Sequence, residues 1–121
     1  MKVRKIKVGI KSMESILDDF IKTGEAIERG EQVKQETGTY FATLRAFKKA
    51  LTPKRMELLH IIKTDRPSSI NELARIAKRD VKNVATDVKY LEQLGLIDKR
   101  ETKGRTAPLV TYEKLILEIT V

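Results

Sequence analysis

Four residues in this chain have the types and spacing to hydrogen-bond a polyanion and to discriminate among its parts: Lys82, Asn83, Thr86 and Lys89. A lysine or an asparagine can reach guanine or adenine edges, a hydroxyl can serve either base, and a further lysine can meet a phosphate. The steps between these residues are 1, 3 and 3, which places them on one side of an α-helix. The other side of the same stretch is apolar: Val81, Val84, Val88, Leu91 and Leu94 recur at the helical period. Asp80 is a good N-cap, and Gly95 stands where a helix would leave through a left-handed residue. A helix over 80–94 is therefore expected, with an apolar stripe to bury and a donor-rich face to present.

The segments before this helix would hold it in place. Thr52-Pro53 reads as an N-cap followed by proline at the first helical position. Met56, Leu58, Leu59, Ile61 and Ile62 continue that helix until near Asp65-Arg66-Pro67. Ser69-Ile70-Asn71-Glu72 has the form of a capping box, in which hydroxyl and carboxylate each satisfy a free backbone N–H. It opens a short helix carrying Ile70, Leu73, Ala74, Ile76 and Ala77. Lys78-Arg79 forms the turn into the helix from Asp80. Three helices in a row, the last two joined by a turn of a few residues, are the layout of a helix-turn-helix. After Gly95, Leu96–Thr102 reads as a strand, Lys103-Gly104-Arg105-Thr106 as a turn with two cations, and Leu109–Tyr112 as the returning strand, extended by 115–121. A basic β-hairpin in that position would be a wing.

The N-terminal third reads differently. Residues 2–10 alternate Ile6, Val8 and Ile10 against Lys5, Lys7 and Gly9, which suits an edge strand guarded by lysines or, alternatively, a basic arm on phosphates. Ser12 caps a helix to about Arg29, with Met13, Ile16, Leu17, Phe20, Ile21, Gly24 and Ile27 along one stripe. That stripe could fold onto its own domain or onto a second subunit. Adjacent Asp18 and Asp19 point about 100° apart on a helix and do not converge as a catalytic pair. Gly30–Gly38 reads as a loop, Thr39–Ala42 as a short strand, and Thr43 as the cap of a brief helix through Leu51. The expected fold class is α+β: a winged helix-turn-helix domain over 52–121 with a strand–helix–strand extension over 1–51.

Charge supports a polyanionic partner. The formal net charge of the 121 residues is +8, and residues 37–121 hold 17 cations against ten acids, whereas Ser12–Glu36 holds three against seven. There is no cysteine, so disulfides and thiolate metal sites are excluded. The single histidine, His60, lies in an apolar run, where a core or boundary role is expected. With no phosphate-binding glycine loop and no cluster of metal ligands, no catalytic residue, cofactor or metal is assigned, and an enzyme is the least expected class. No apolar run reaches the roughly 20 residues of a membrane span. The N-terminus lacks a signal-peptide core, so a cytoplasmic protein is expected.

Ile70-Asn-Glu-Leu-Ala, Asp80-Val-Lys-Asn-Val and Leu91-Glu-Gln-Leu-Gly-Leu-Ile, followed by the basic hairpin, resemble the winged-helix transcription regulators of the MarR and ArsR type over about Thr52–Tyr112. Thr52-Pro-Lys-Arg-Met-Glu-Leu-Leu and Arg105-Thr-Ala-Pro-Leu-Val-Thr-Tyr look more like a small family of archaeal and bacterial regulators described as MarR-like antitoxins. The resemblance implies a homodimer on double-stranded DNA, with the helix from Asp80 in the major groove. Asn83 would then pair with adenine, Lys82 with guanine, and Ala85 with a thymine methyl. Thr86 replaces an arginine common in that family, which weakens guanine readout there, and Lys89 completes the helix face. Ser68, Ser69 and Asn71 would bind a phosphate, Lys103 and Arg105 would lie at the minor groove, and Lys78, Arg79 and Arg100 join the DNA-contacting set. The same resemblance opens an alternative: an antitoxin that neutralises a toxin protein through the N-terminal extension and regulates its own operon. A third possibility is an architectural protein that coats DNA without sequence preference.

Overall fold

The computed structural model describes residues 5–31 and 38–121. The chain is α+β, and its elements run β1 (Lys5–Ile10), α1 (Met13–Glu28), β2 (Gly38–Phe41), α2 (Leu44–Ala50), α3 (Pro53–Asp65), α4 (Ile70–Ala77), α5 (Val81–Gln93), β3 (Asp98–Thr102), β4 (Arg105–Leu109) and β5 (Lys114–Ile119). They form two units: Leu51–Lys114, and Lys5–Ala50 together with Leu115–Val121. The expected start of the first strand at 2–4 and most of the expected 30–38 loop lie outside the described residues.

In the first unit, each helix starts where the side chains provide a cap. The Thr52 hydroxyl accepts from the Arg55 N–H at 3.3 Å, and Pro53 occupies the first turn. The Ser69 hydroxyl accepts from the Glu72 N–H at 3.1 Å. The Asp80 carboxylate accepts from the N–H groups of Lys82 and Asn83 at 3.2 and 3.4 Å. Helices α3 and α4 both end on left-handed residues that are not glycine, Arg66 at φ 47° and Lys78 at φ 56°. Such a conformation costs a residue with a Cβ on the order of 1 kcal/mol; at Lys78 the backbone N–H still donates to the Ala74 and Arg75 carbonyls. Helix α3 packs against α4, α5 and β4, and α4 packs against α5. Leu58, Ile62, Leu73, Val84, Leu91, Leu96 and Ala107 are almost wholly buried there. The Tyr112 hydroxyl donates to the Leu96 carbonyl at 2.8 Å, and burial pushes its ionisation well above the usual range.

Strands β3 and β4 pair antiparallel with Asp98 opposite Leu109 and Thr102 opposite Arg105. This corrects the expected four-residue turn and the returning strand at 109–112. The loop is only Lys103-Gly104, with φ values of 51° and 74°, the pair of left-handed residues that a tight type I′ turn requires. The tighter turn starts the return four residues earlier. Pro108 then falls inside β4, tolerated because a two-stranded sheet consists only of edges.

The second unit holds a sheet in the order β2-β1-β5. Strands β1 and β2 are parallel, with Val8 opposite Thr39 and Ile10 opposite Phe41, and α1 lies in the connection between them, as a parallel pair requires. Two expectations change. The lysine-bearing strand β1 is central, not an edge. Its charged face is matched locally: Lys7 pairs with Glu118 at 2.9 Å, and beyond its end Lys11 sits over the Tyr40 ring at 4.3 Å and pairs with Asp19. Residues 115–121 do not extend the hairpin but belong with β1, so the units do not divide at 51/52 throughout. Alternation alone could not show this, because a strand's period does not name its neighbour. Phe41 and Phe47 meet edge to face at 5.8 Å, joining β2 to α2.

Candidate nucleic-acid interface

Helix α5 turns its two faces in opposite directions. Val84, Val88 and Leu91 are buried against the unit, while Lys82, Asn83, Ala85, Thr86 and Lys89 are exposed. The structure therefore brings the donor-rich face together on one accessible surface. Within it, the Thr86 hydroxyl donates to the Lys82 carbonyl at 2.9 Å. Its lone pairs stay open, but its proton is engaged with the helix. Lys89 has no claim on its neighbouring acids, because Asp87 pairs with two arginines and Glu92 lies 3.4 Å from Lys99.

The helix is fixed in rotation by an ion cluster. The Asp87 carboxylate accepts from Arg55 Nε at 3.0 Å and from Arg79 Nη2 at 2.8 Å, and all three side chains are less than a fifth exposed. Burial pushes the Asp87 carboxyl up, but the hydrogen bonds and charges of Arg79 and Arg55 prevail and hold it below the ordinary carboxylate value. Arg55 also lies over the Tyr90 ring at 4.3 Å. Thus α3, the α4–α5 turn and α5 are tied through one carboxylate. Arg55 was not legible in the sequence, since its partner stands 32 residues away.

Between α5 and the hairpin lies an open depression of about 410 Å³ lined by Ala85, Lys89, Gln93, Lys99, Thr106 and Pro108, among others. Lys99 and Gln93 thereby join the surface, although sequence reasoning did not single them out. The signal was faint: Gln93 continues the 82-86-89 helical step, and Lys99 alternates with Arg100 on β3. At the hairpin tip Lys103 and Arg105 are exposed, and Lys78 is exposed at the α4–α5 turn. Residues 51–114 carry 14 cations against nine acids.

Four of the expected contact residues are engaged inside the unit. Arg79 belongs to the Asp87 cluster. Arg100 donates through Nη2 to the carbonyls of Arg66 and Pro67 at 3.2 and 3.5 Å, securing the left-handed exit of α3. Ser69 is the α4 N-cap. The Ser68 hydroxyl donates to the Glu72 carboxylate at 2.6 Å, and that interaction, foremost, holds Glu72 below its ordinary value. The Glu72 carboxylate thus turns to Ser68, one residue before the cap that the expected box would close on. A carboxylate already stands at the N-terminus of α4, where the phosphate was expected. Asn71 is exposed beside it. His60 is exposed rather than in the core. Among the described residues, no group of three or more His, Cys, Asp or Glu could hold a metal ion, and no helix is long and apolar enough to cross a membrane.

The profile of the protein family described as HVO_A0114 matches residues 50–117, more than half of the chain. The chain belongs to that family. The match covers α3 to β4 and most of β5, and so contains the whole of this surface. No curated protein matches the chain.

Proposed function

We propose that this member of the HVO_A0114 family is a winged helix-turn-helix transcriptional regulator that binds double-stranded DNA with sequence preference. One observation carries the reading. The short capped helix α4, a three-residue turn and α5 are followed at once by a cationic hairpin, and α5 buries Val84, Val88 and Leu91 while exposing Lys82, Asn83, Thr86 and Lys89. A helix of that form fits the major groove, and the hairpin tip with Lys103 and Arg105 would lie at the minor groove. In this reading Lys82 and Asn83 supply preference, because they are exposed and project from the first turn. Lys78, Lys89 and the hairpin tip supply phosphate contacts, and Lys99 joins them by leaving its 3.4 Å pair with Glu92. Arg55, Arg79 and Arg100 hold the reading helix and its flanking loops in place and do not read bases. As a homodimer the protein would place two such helices about 34 Å apart on a two-fold site, and binding would repress transcription by occupying it.

Selection of bound duplexes from a random pool at near-physiological salt tests the proposal. It predicts an enriched two-fold sequence, bound about 10³-fold or more over random DNA, with affinity falling steeply as salt displaces phosphate contacts. Recovery of an unenriched pool would rule out sequence preference and favour an architectural protein. A second reading, an antitoxin whose N-terminal unit holds a toxin, draws on the exposed apolar side of α1. It predicts a small protein that co-purifies stoichiometrically from the native host.

A further inference from the structure

Helix α1 carries a seam. Met13, Leu17, Phe20, Gly24 and Ile27 recur at steps of 4, 3, 4 and 3, the spacing of residues that pack one helix along another. None of α1 is buried. Its half-buried residues, Ser15, Ile16, Thr23 and Ala26, lie to one side of the seam, with Ile16 and Thr23 flanking it. Met13, Leu17 and Ile27 are 55 to 58% exposed and Phe20 is 77% exposed. Nothing lies within 4 Å of where a Cβ on Gly24 would stand. With neighbouring Ile21, the seam leaves on the order of 500 Å² of apolar surface open. That is near the largest patch a monomer ordinarily shows, and it matches the apolar share of the roughly 800 Å² that each partner contributes to a stable interface.

We propose that this seam seats a second copy of the chain, with the two α1 helices antiparallel and crossing at Phe20. The spacing is self-complementary, as a two-fold interface demands. Positions 13 and 27 are equally far from 20, so Met13 meets Ile27 of the partner subunit at both ends, and Phe20 meets its own copy at the centre. Gly24 and Leu17 of the partner subunit lie four and three residues from the centre, so they fall within one residue of the same level, and the missing side chain accommodates the leucine. A parallel pairing would set glycine against glycine and leave a void. The exposed flank on the other side of the seam repeats every seven residues as Glu14, Ile21 and Glu28. In the antiparallel pair these flanks face each other: Ile21 meets Ile21, and Glu14 approaches Glu28 of the partner subunit. Those like charges are solvent-exposed and screened by salt, so they weaken the pair slightly without opposing its apolar burial. They also set the sign of the salt effect. Self-association should tighten as salt rises, whereas a basic partner protein on the same face would be released. The inference supplies an interface for the homodimer of the proposed function, and it stands on α1 whether or not α5 binds DNA.

The test uses the full chain without DNA. Sedimentation equilibrium should show a dimer that tightens between about 0.05 and about 0.5 M salt, and Phe20→Lys should weaken it about 100-fold, while Phe20→Leu retains it. Because the chain has no cysteine, engineered thiols report geometry without background. Phe20→Cys should oxidise to a cross-linked dimer. Met13→Cys and Ile27→Cys should each remain uncross-linked alone and cross-link to each other when mixed. A chain that stays monomeric at about 100 μM, a Phe20→Lys variant that dimerises as well as the parent, or Met13→Cys cross-linking to itself would overturn the proposal.

Discussion

In α5, Val84, Val88 and Leu91 are at most 2% exposed; in α1, Leu17 and Phe20 are 55 and 77% exposed. Both helices carry an apolar stripe at helical period, both have a capped N-terminus, and both present charge on the opposite side. The difference lies in what the chain places next to them. Helix α5 follows α4 after three residues and α3 shortly before, and short connections bring consecutive helices into contact. Helix α1 instead bridges two parallel strands, a connection that uses only part of its surface. An apolar stripe therefore specifies a helix and a side to cover, and chain connectivity decides whether the same molecule covers it.

Substitutions that sharpen this contrast differ widely in size. Leu91→Ala should cost about 3 kcal/mol of unfolding free energy, because it empties a filled core position, and thermal or denaturant unfolding would read this directly. Asp87→Ala should cost about 2 kcal/mol, since it strands two partly buried arginines without their shared carboxylate. That contribution depends on pH. The Asp87 carboxyl is held below its ordinary value, so the stabilisation is complete above the unfolded value of about 4 and disappears as pH falls through the folded value. The stability gap between parent and Asp87→Asn should therefore narrow below about pH 4. Tyr112→Phe should cost about 1 kcal/mol by leaving the buried Leu96 carbonyl unpaired. Phe20→Ala, measured at a concentration where the chain is monomeric, should change unfolding by less than about 0.5 kcal/mol, because an exposed side chain has little to lose. A loss there as large as that of Leu91→Ala would erase the contrast between the two helices.

Much of this organisation was legible in the chain. Thr52-Pro53, Ser69 and Asp80 mark helix starts because each hydroxyl or carboxylate bonds a free N–H within the same few residues, and such local chemistry leaves a local signature. The exposed face of α5 followed from its period. What the sequence concealed was long-range. Arg79 and Arg100 look like any surface cation until Asp87 and the Arg66 and Pro67 carbonyls are brought beside them, and Arg55 was invisible for the same reason. The hairpin loop is two residues shorter than its composition suggests because Lys103, a residue that seldom adopts a left-handed backbone, does so here beside Gly104. The last strand joins β1 and not the hairpin, and alternation does not reveal which strand it joins.

Among the surface residues, Lys82 and Asn83 carry the central claim. The direct measurement is a fluorescence-anisotropy titration of the parent and the Lys82→Ala/Asn83→Ala variant, at fixed salt, against a duplex enriched by selection and a scrambled one. The account predicts that the parent prefers the selected duplex by about 10³-fold or more and that the variant, folded and equally stable, binds both duplexes alike. A variant that keeps the full preference, or a parent that never shows one, would contradict it.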